Sequence, residues 1–88
     1  MSNAPIVDFA GLSGKSVKAT YENLPPSSRI LIVSRTSGQP VGGGGVVVSG
    51  SASATIPEPT GIPAGDYFLK AEDSTGAYLA QSVVFQLD

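Results

Sequence analysis

Apolar and polar residues alternate with a period of two along most of the chain, in short segments separated by Gly, Pro and Ser clusters. That period belongs to strands with one buried face. It predicts strands over Ile6–Phe9, Ser16–Tyr21, Arg29–Arg35, Val46–Ser49, Ala52–Ile56, Asp66–Glu72 and Tyr78–Leu87. In the second, Val17, Ala19 and Tyr21 share one face and Lys18 and Thr20 the other. Asn23-Leu24-Pro25-Pro26 is expected to stop it, because proline lacks the ladder donor and restrains the residue before it. Asp73-Ser74-Thr75-Gly76 reads as a hairpin loop, with glycine where positive φ is needed. No stretch carries a capped 3.6-residue apolar stripe, so no helix is expected. Seven strands at this spacing indicate an antiparallel sandwich or small barrel. The expected core is Val17, Ala19, Tyr21, Tyr67, Leu69, Leu79, Val83, Phe85 and Leu87.

Composition narrows the chemistry. With 88 residues the chain makes one domain, 1–88. It has no His and no Cys, which leaves no histidine base, no thiol nucleophile, no structural zinc set and no disulfide. Five cations against seven acids give a net charge of −2, which argues against a nucleic-acid surface. The longest apolar run, Ile30–Val33, is far short of the ~20 residues of a membrane span. Met1-Ser2-Asn3-Ala4-Pro5 lacks the basic and apolar regions of a signal peptide and reads as a natural start. A non-catalytic folded module without cofactor is the expectation.

Ile62-Pro63-Ala64-Gly65-Asp66-Tyr67-Phe68-Leu69-Lys70-Ala71-Glu72-Asp73, followed by Gly76 and a closing strand, resembles immunoglobulin-like modules of bacterial surface and phage structural proteins. In that family a Pro-x-Gly-x-Tyr segment opens strand F and an acidic-glycine turn leads into strand G. The resemblance covers residues 61–88 and, more loosely, the strand count. It implies an immunoglobulin-like β-sandwich of about seven strands and gives Tyr67 the place of a tyrosine corner. The family's disulfide and core Trp have no counterpart here, which sets aside the antibody-type subset.

Other motifs have simpler readings. Gly14-Lys15-Ser16 resembles the tail of a phosphate loop, but the required upstream glycine is Phe9 and no helix follows, so a turn is expected. Gly42–Gly45 has no adjacent cation and reads as a loop, or as a place where another backbone comes close. Asp66, Glu72 and Asp73 lack the dense oxygen spacing of a calcium loop. Glu72 and Asp73, adjacent on a strand, point to opposite faces and do not form an acid/base pair. Ser and Thr are abundant, but no G-x-S-x-G occurs.

The sheet shared by strands C, F and G carries the functional expectation. Ile30–Val33 is apolar on both faces, whereas a half-exposed antiparallel strand alternates. Phe68, Tyr78 and Val84 fall on the outward phase of their strands. An exposed apolar strip of Ile30, Ile32, Phe68, Tyr78 and Val84 is therefore expected as a contact surface. The expected role is a structural protein that docks on capsid or tail proteins, or self-associates, as a virion accessory assembled in the host cytoplasm. The alternative is a carbohydrate- or cell-surface-binding module of a longer exported bacterial protein.

Overall fold

A computed structural model describes residues 4–42 and 45–88; Met1–Asn3 and the centre of the glycine run, Gly43 and Gly44, lie outside the described residues. Six strands follow one another: β1 (Ile6–Ser13), β2 (Ser16–Ser34), β3 (Val46–Pro57), β4 (Gly65–Glu72), β5 (Tyr78–Gln81) and β6 (Phe85–Leu87). No helix occurs among the described residues. All pairings are antiparallel and belong to one sheet, curled into a half-barrel. The expectation of an all-β antiparallel fold holds.

The strand count differs from seven for two reasons. Ser16–Tyr21 and Arg29–Arg35 are parts of a single strand, β2, and the two segments around Gly50 are parts of β3. The expected closing strand, in contrast, is broken into β5 and β6. Pro25-Pro26 does not end β2, because the prolines sit where β2 bulges away from its partner. Seven residue steps from Tyr21 to Ser28 oppose only four from Ala52 to Val48, with Leu24 opposite Gly50 between them. The surplus residues need no ladder donor, so proline is tolerated there, and a bulged strand bends. Asn23 (φ 61) and Ser27 (φ 63) take the left-handed turns. Three bonds hold the excursion: Asn23 N–H to Ser51 Oγ (3.1 Å), Asn23 Nδ2 to the Ala4 carbonyl (3.1 Å), and Ser28 Oγ to the Pro25 carbonyl (2.6 Å).

This bend organises the molecule. β3 occupies one edge of β2 along both its halves. The other edge is shared: β1 pairs with residues 16–22 and β4 with residues 29–34. Folding at the bulge swings β1 over the far half of the sheet, where the Phe9 and Phe85 rings stack with centroids 4.3 Å apart. Strands that turn a corner through bulges in this way let one sheet cover itself. The enclosed core holds Val7, Val17, Ala19, Tyr21, Leu24, Ile30, Ile32, Val48, Ile56, Tyr67, Leu69, Ala71, Ala80, Phe85 and Leu87. Leu79 is half-buried against it. Val83, expected inside, is instead 71% exposed.

The displaced Val83 has a local cause. Ala80 and Ser82 point inward, and so do Phe85 and Leu87, so the alternation slips by one residue between them. Ser82 fills the gap in the ladder: its N–H donates to the Leu69 carbonyl (2.8 Å), while its Oγ accepts the Leu69 N–H (2.9 Å) and donates to the Val83 carbonyl (2.8 Å). Both ends of the glycine run fold against their own chain. A Cβ on Gly45 (φ 73) would overlap the Ile30 carbonyl oxygen, and one on Gly42 (φ 77) would lie 2.5 Å from Pro59 Cγ.

Two stability predictions follow from these contacts. Gly45→Ala must lose more stability in urea unfolding than Gly50→Ala. Both force alanine into left-handed backbone, worth ~1–2 kcal/mol, but Gly50 (φ 73) has open space around it and Gly45 does not. Ser82→Ala leaves the buried Leu69 N–H without its acceptor, and the same measurement should register a loss of ~1–3 kcal/mol.

Candidate interaction surface

Paired residues of an antiparallel ladder point to the same face, so the register places the expected contact residues. Tyr67, Leu69 and Ala71 of β4 face the core, which turns Phe68, Lys70 and Glu72 outward. Opposite them on β2 stand Val33, Leu31 and Arg29, and on β5 Gln81 faces Lys70 and Tyr78 faces Glu72. Phe68 lies between two fixed points. Tyr67 pairs with Phe85, and Leu69 bonds to Ser82, so the segment opposite Phe68 is Val83-Val84, between β5 and β6.

The outer face therefore carries an apolar cluster of half-buried Phe68 with exposed Val83 and Val84, flanked by Val33. Val33 and Leu31 are 2% and 7% exposed, so the outward side of this stretch of β2 is itself covered. Toward Tyr78 the surface becomes charged. Lys70 and Glu72 form an ion pair of 3.6 Å there, partly exposed, of the kind that adds little stability.

Of the five residues expected in the strip, Phe68 and Val84 lie together, while Tyr78, 57% exposed, stands beyond the Lys70–Gln81 row. Ile30 and Ile32 do not belong to the surface. They are 0% and 2% exposed and sit in the core, because their partners Ala71 and Leu69 face inward. A strand apolar on both faces has one face for the core and one outside; the outward pair is Leu31 and Val33. Val83 joins the cluster unannounced, since three consecutive apolar residues, Val83-Val84-Phe85, give no phase by which the slip at Ser82 could be read.

Tyr67, Asp66 and Asp73 are engaged separately. Tyr67 is buried and its hydroxyl donates to the Pro63 carbonyl four residues upstream, the bond a tyrosine corner makes. Asp66 faces Arg35 at 3.8 Å in an exposed pair. Asp73 Oδ1 accepts from Thr75 Oγ1 (2.6 Å), Thr75 N–H (2.9 Å) and Ala77 N–H (3.0 Å) and so closes the β4–β5 loop. Asp66, Glu72 and Asp73 thus serve three different partners. Of the six aromatic side chains only Tyr78 is exposed; Tyr21, Tyr67 and Phe85 are buried and Phe9 and Phe68 half-buried.

Three shallow clefts are among those on the surface of the described residues. One of about 310 Å³ lies between Ile32, Val41, Val46, Ile56 and Pro59. Another of about 460 Å³ lies beside Ser34, Val41, Pro63 and Tyr67. The third, of about 360 Å³, is lined by residues that include Leu12, Lys15, Glu58, Ile62 and Leu87. The second has the polar side chains of Ser34, Thr36, Ser37, Asp66 and Tyr67 in its lining, and the third those of Lys15, Glu58, Thr60 and Asp88. No protein-family model, curated protein or solved structure matches this chain.

The Asp73 loop gives a pH prediction. The Thr75 hydroxyl, followed by the Ala77 and Thr75 N–H groups, holds the Asp73 carboxyl below the usual carboxylate range. A group with a depressed folded value stabilises above its unfolded value, and that contribution is lost as pH falls through the folded one. In a carboxyl-carbon NMR titration Asp73 should therefore titrate below an ordinary aspartate. Thr75→Ala should move its midpoint upward, and an Asp73 midpoint unmoved by that change would contradict the assignment.

Proposed function

We propose that the chain is a non-enzymatic attachment module that docks on a larger assembly through the Phe68, Val83 and Val84 cluster. The observation that carries the reading is the exposure of two adjacent valines beside Phe68, where an alternating strand would have turned one of them inward. Contiguous exposed apolar patches mark contact sites, and a specific attachment needs ~800 Å² per partner. The composition supports the non-enzymatic part, since neither a histidine base nor a cysteine nucleophile is available.

Among assemblies, a virion shell or tail surface is the one favoured by the resemblance of residues 61–88 to immunoglobulin-like phage and bacterial surface modules. The Tyr67–Pro63 bond supports that kinship locally. Many weak contacts on a symmetric particle add up through avidity, which suits a small contact cluster. The module acts in this reading as a capsid decoration or tail-surface protein.

A density gradient of particles from cells that express the protein in its native genomic setting tests this. The wild type should travel with high-mass particles. The Phe68→Glu, Val84→Glu double variant, still folded by circular dichroism, should lose attachment by about 100-fold, because each carboxylate would be buried unpaired. A wild type confined to the top of the gradient sinks the proposal, as does a folded variant that stays with the particles.

A further inference from the structure

The sheet leaves three edges without a strand partner among the described residues: β1, β3 and the β5–β6 side. An edge is a row of free N–H and C=O groups, and proteins ordinarily blunt it with charge, bulges or brevity. Two of the three are blunted. β1 carries Asp8 and a bulge at Ala10, between Phe9 and Gly11. The β5–β6 side is interrupted at residues 82–84, leaving strands of four and three residues.

β3 has none of these protections along its straight half. It is 12 residues long, and its register against β2 is unbroken from Ala52 to Pro57. It contains no charged residue and lies in the longest uncharged stretch of the chain, from Thr36 to Pro57. Ser51, Ser53 and Thr55 are exposed, and Ala52 and Ala54 add little bulk. The only proline in the strand is its last residue.

We propose that the open edge of β3 pairs antiparallel with the β3 of a second copy, about a two-fold axis near Ala54. Charge selects this occupant. A two-fold axis sets each residue against its own kind or its near neighbours, and like charges placed so repel. A neutral segment is compatible with its own image, whereas one shaped for a foreign strand has no need to be free of both signs. With the axis at Ala54, Ser53 stands opposite Thr55, and hydroxyl pairs of this type are favourable across a ladder. The two half-barrels join into one continuous sheet through main-chain bonds, with Ala52 and Ala54 on one face at the centre of the seam and Ser53 and Thr55 on the other. This surface lies apart from Phe68, Val83 and Val84 and does not depend on the attachment reading.

The test is the solution mass of the full chain by light scattering over a concentration series. It compares wild type with two double variants, Ser53→Lys, Thr55→Lys and Ser53→Glu, Thr55→Glu. All four substitutions fall on exposed positions. The wild type should pass from 8.9 kDa to twice that mass, each variant alone should remain monomeric, and a mixture of the two should regain the doubled mass. Amide hydrogen exchange of the wild type gives a readout that needs no variant: β3 amides should gain protection with concentration while those of β1 and β5 do not. A wild type at monomer mass throughout overturns the proposal. So does doubling that survives in both variants, or protection gained at another edge. Phe68→Glu, Val84→Glu should leave this dimer intact, and its loss there would assign the association to the apolar cluster instead.

Discussion

The pairing of β2 with β3 is the constraint on which the rest of the structure depends. Both strands are long, and they are paired on either side of a bulge, from Ser16 with Pro57 to Ile30 with Val46, although this part of β2 carries three residues more than β3 can match. A ladder that keeps its bonds on either side of such a surplus has to bend, and the bend occurs at Asn23–Ser27 opposite Gly50. Everything else takes its position from there. β1 and β4 line up on the one remaining edge of β2, the halves face each other, and the apolar phase of every strand turns into the space between. The stacked Phe9 and Phe85 rings mark where the curl meets itself.

Much of the local pattern was readable in the residues. Strand alternation placed Val17, Ala19, Tyr21, Tyr67, Leu69, Phe85 and Leu87 inside, and turn chemistry placed the Asp73–Gly76 loop. What failed was connectivity. Proline is expected to end a strand, yet Pro25 and Pro26 lie in an extruded segment whose N–H positions need no partner. Leu24 in their midst is buried, a fact no window centred on two prolines conveys. The expected strands Val46–Ser49 and Ala52–Ile56 are one strand that continues through Gly50.

The surface was harder to read, for a related reason. Which side of a strand faces outward is decided by phase, and phase is lost where apolar residues run together. Ile30–Val33 and Val83–Phe85 are both such runs. In the first, the pairing of Ile30 with Ala71 and Ile32 with Leu69 sends the isoleucines inward. In the second, the buried hydroxyl of Ser82 takes over a ladder bond and releases two valines to solvent. The contact cluster thus owes its existence to a serine that was unremarkable in the sequence.

The passage of β2 and β3 through both halves of the curl has a further consequence. Neither half owns a complete set of strands, so neither can persist once the other has opened, and partial unfolding has no natural place to stop. Cooperativity in so small a domain is then a matter of topology more than of core size. Its assembly carries the corresponding delay: Ser16 must find Pro57 and Arg29 must find Glu72 before the interior closes, and non-local pairings of that kind place β-rich chains among the slower folders. The bend that gives the protein its shape also makes it fold as a whole.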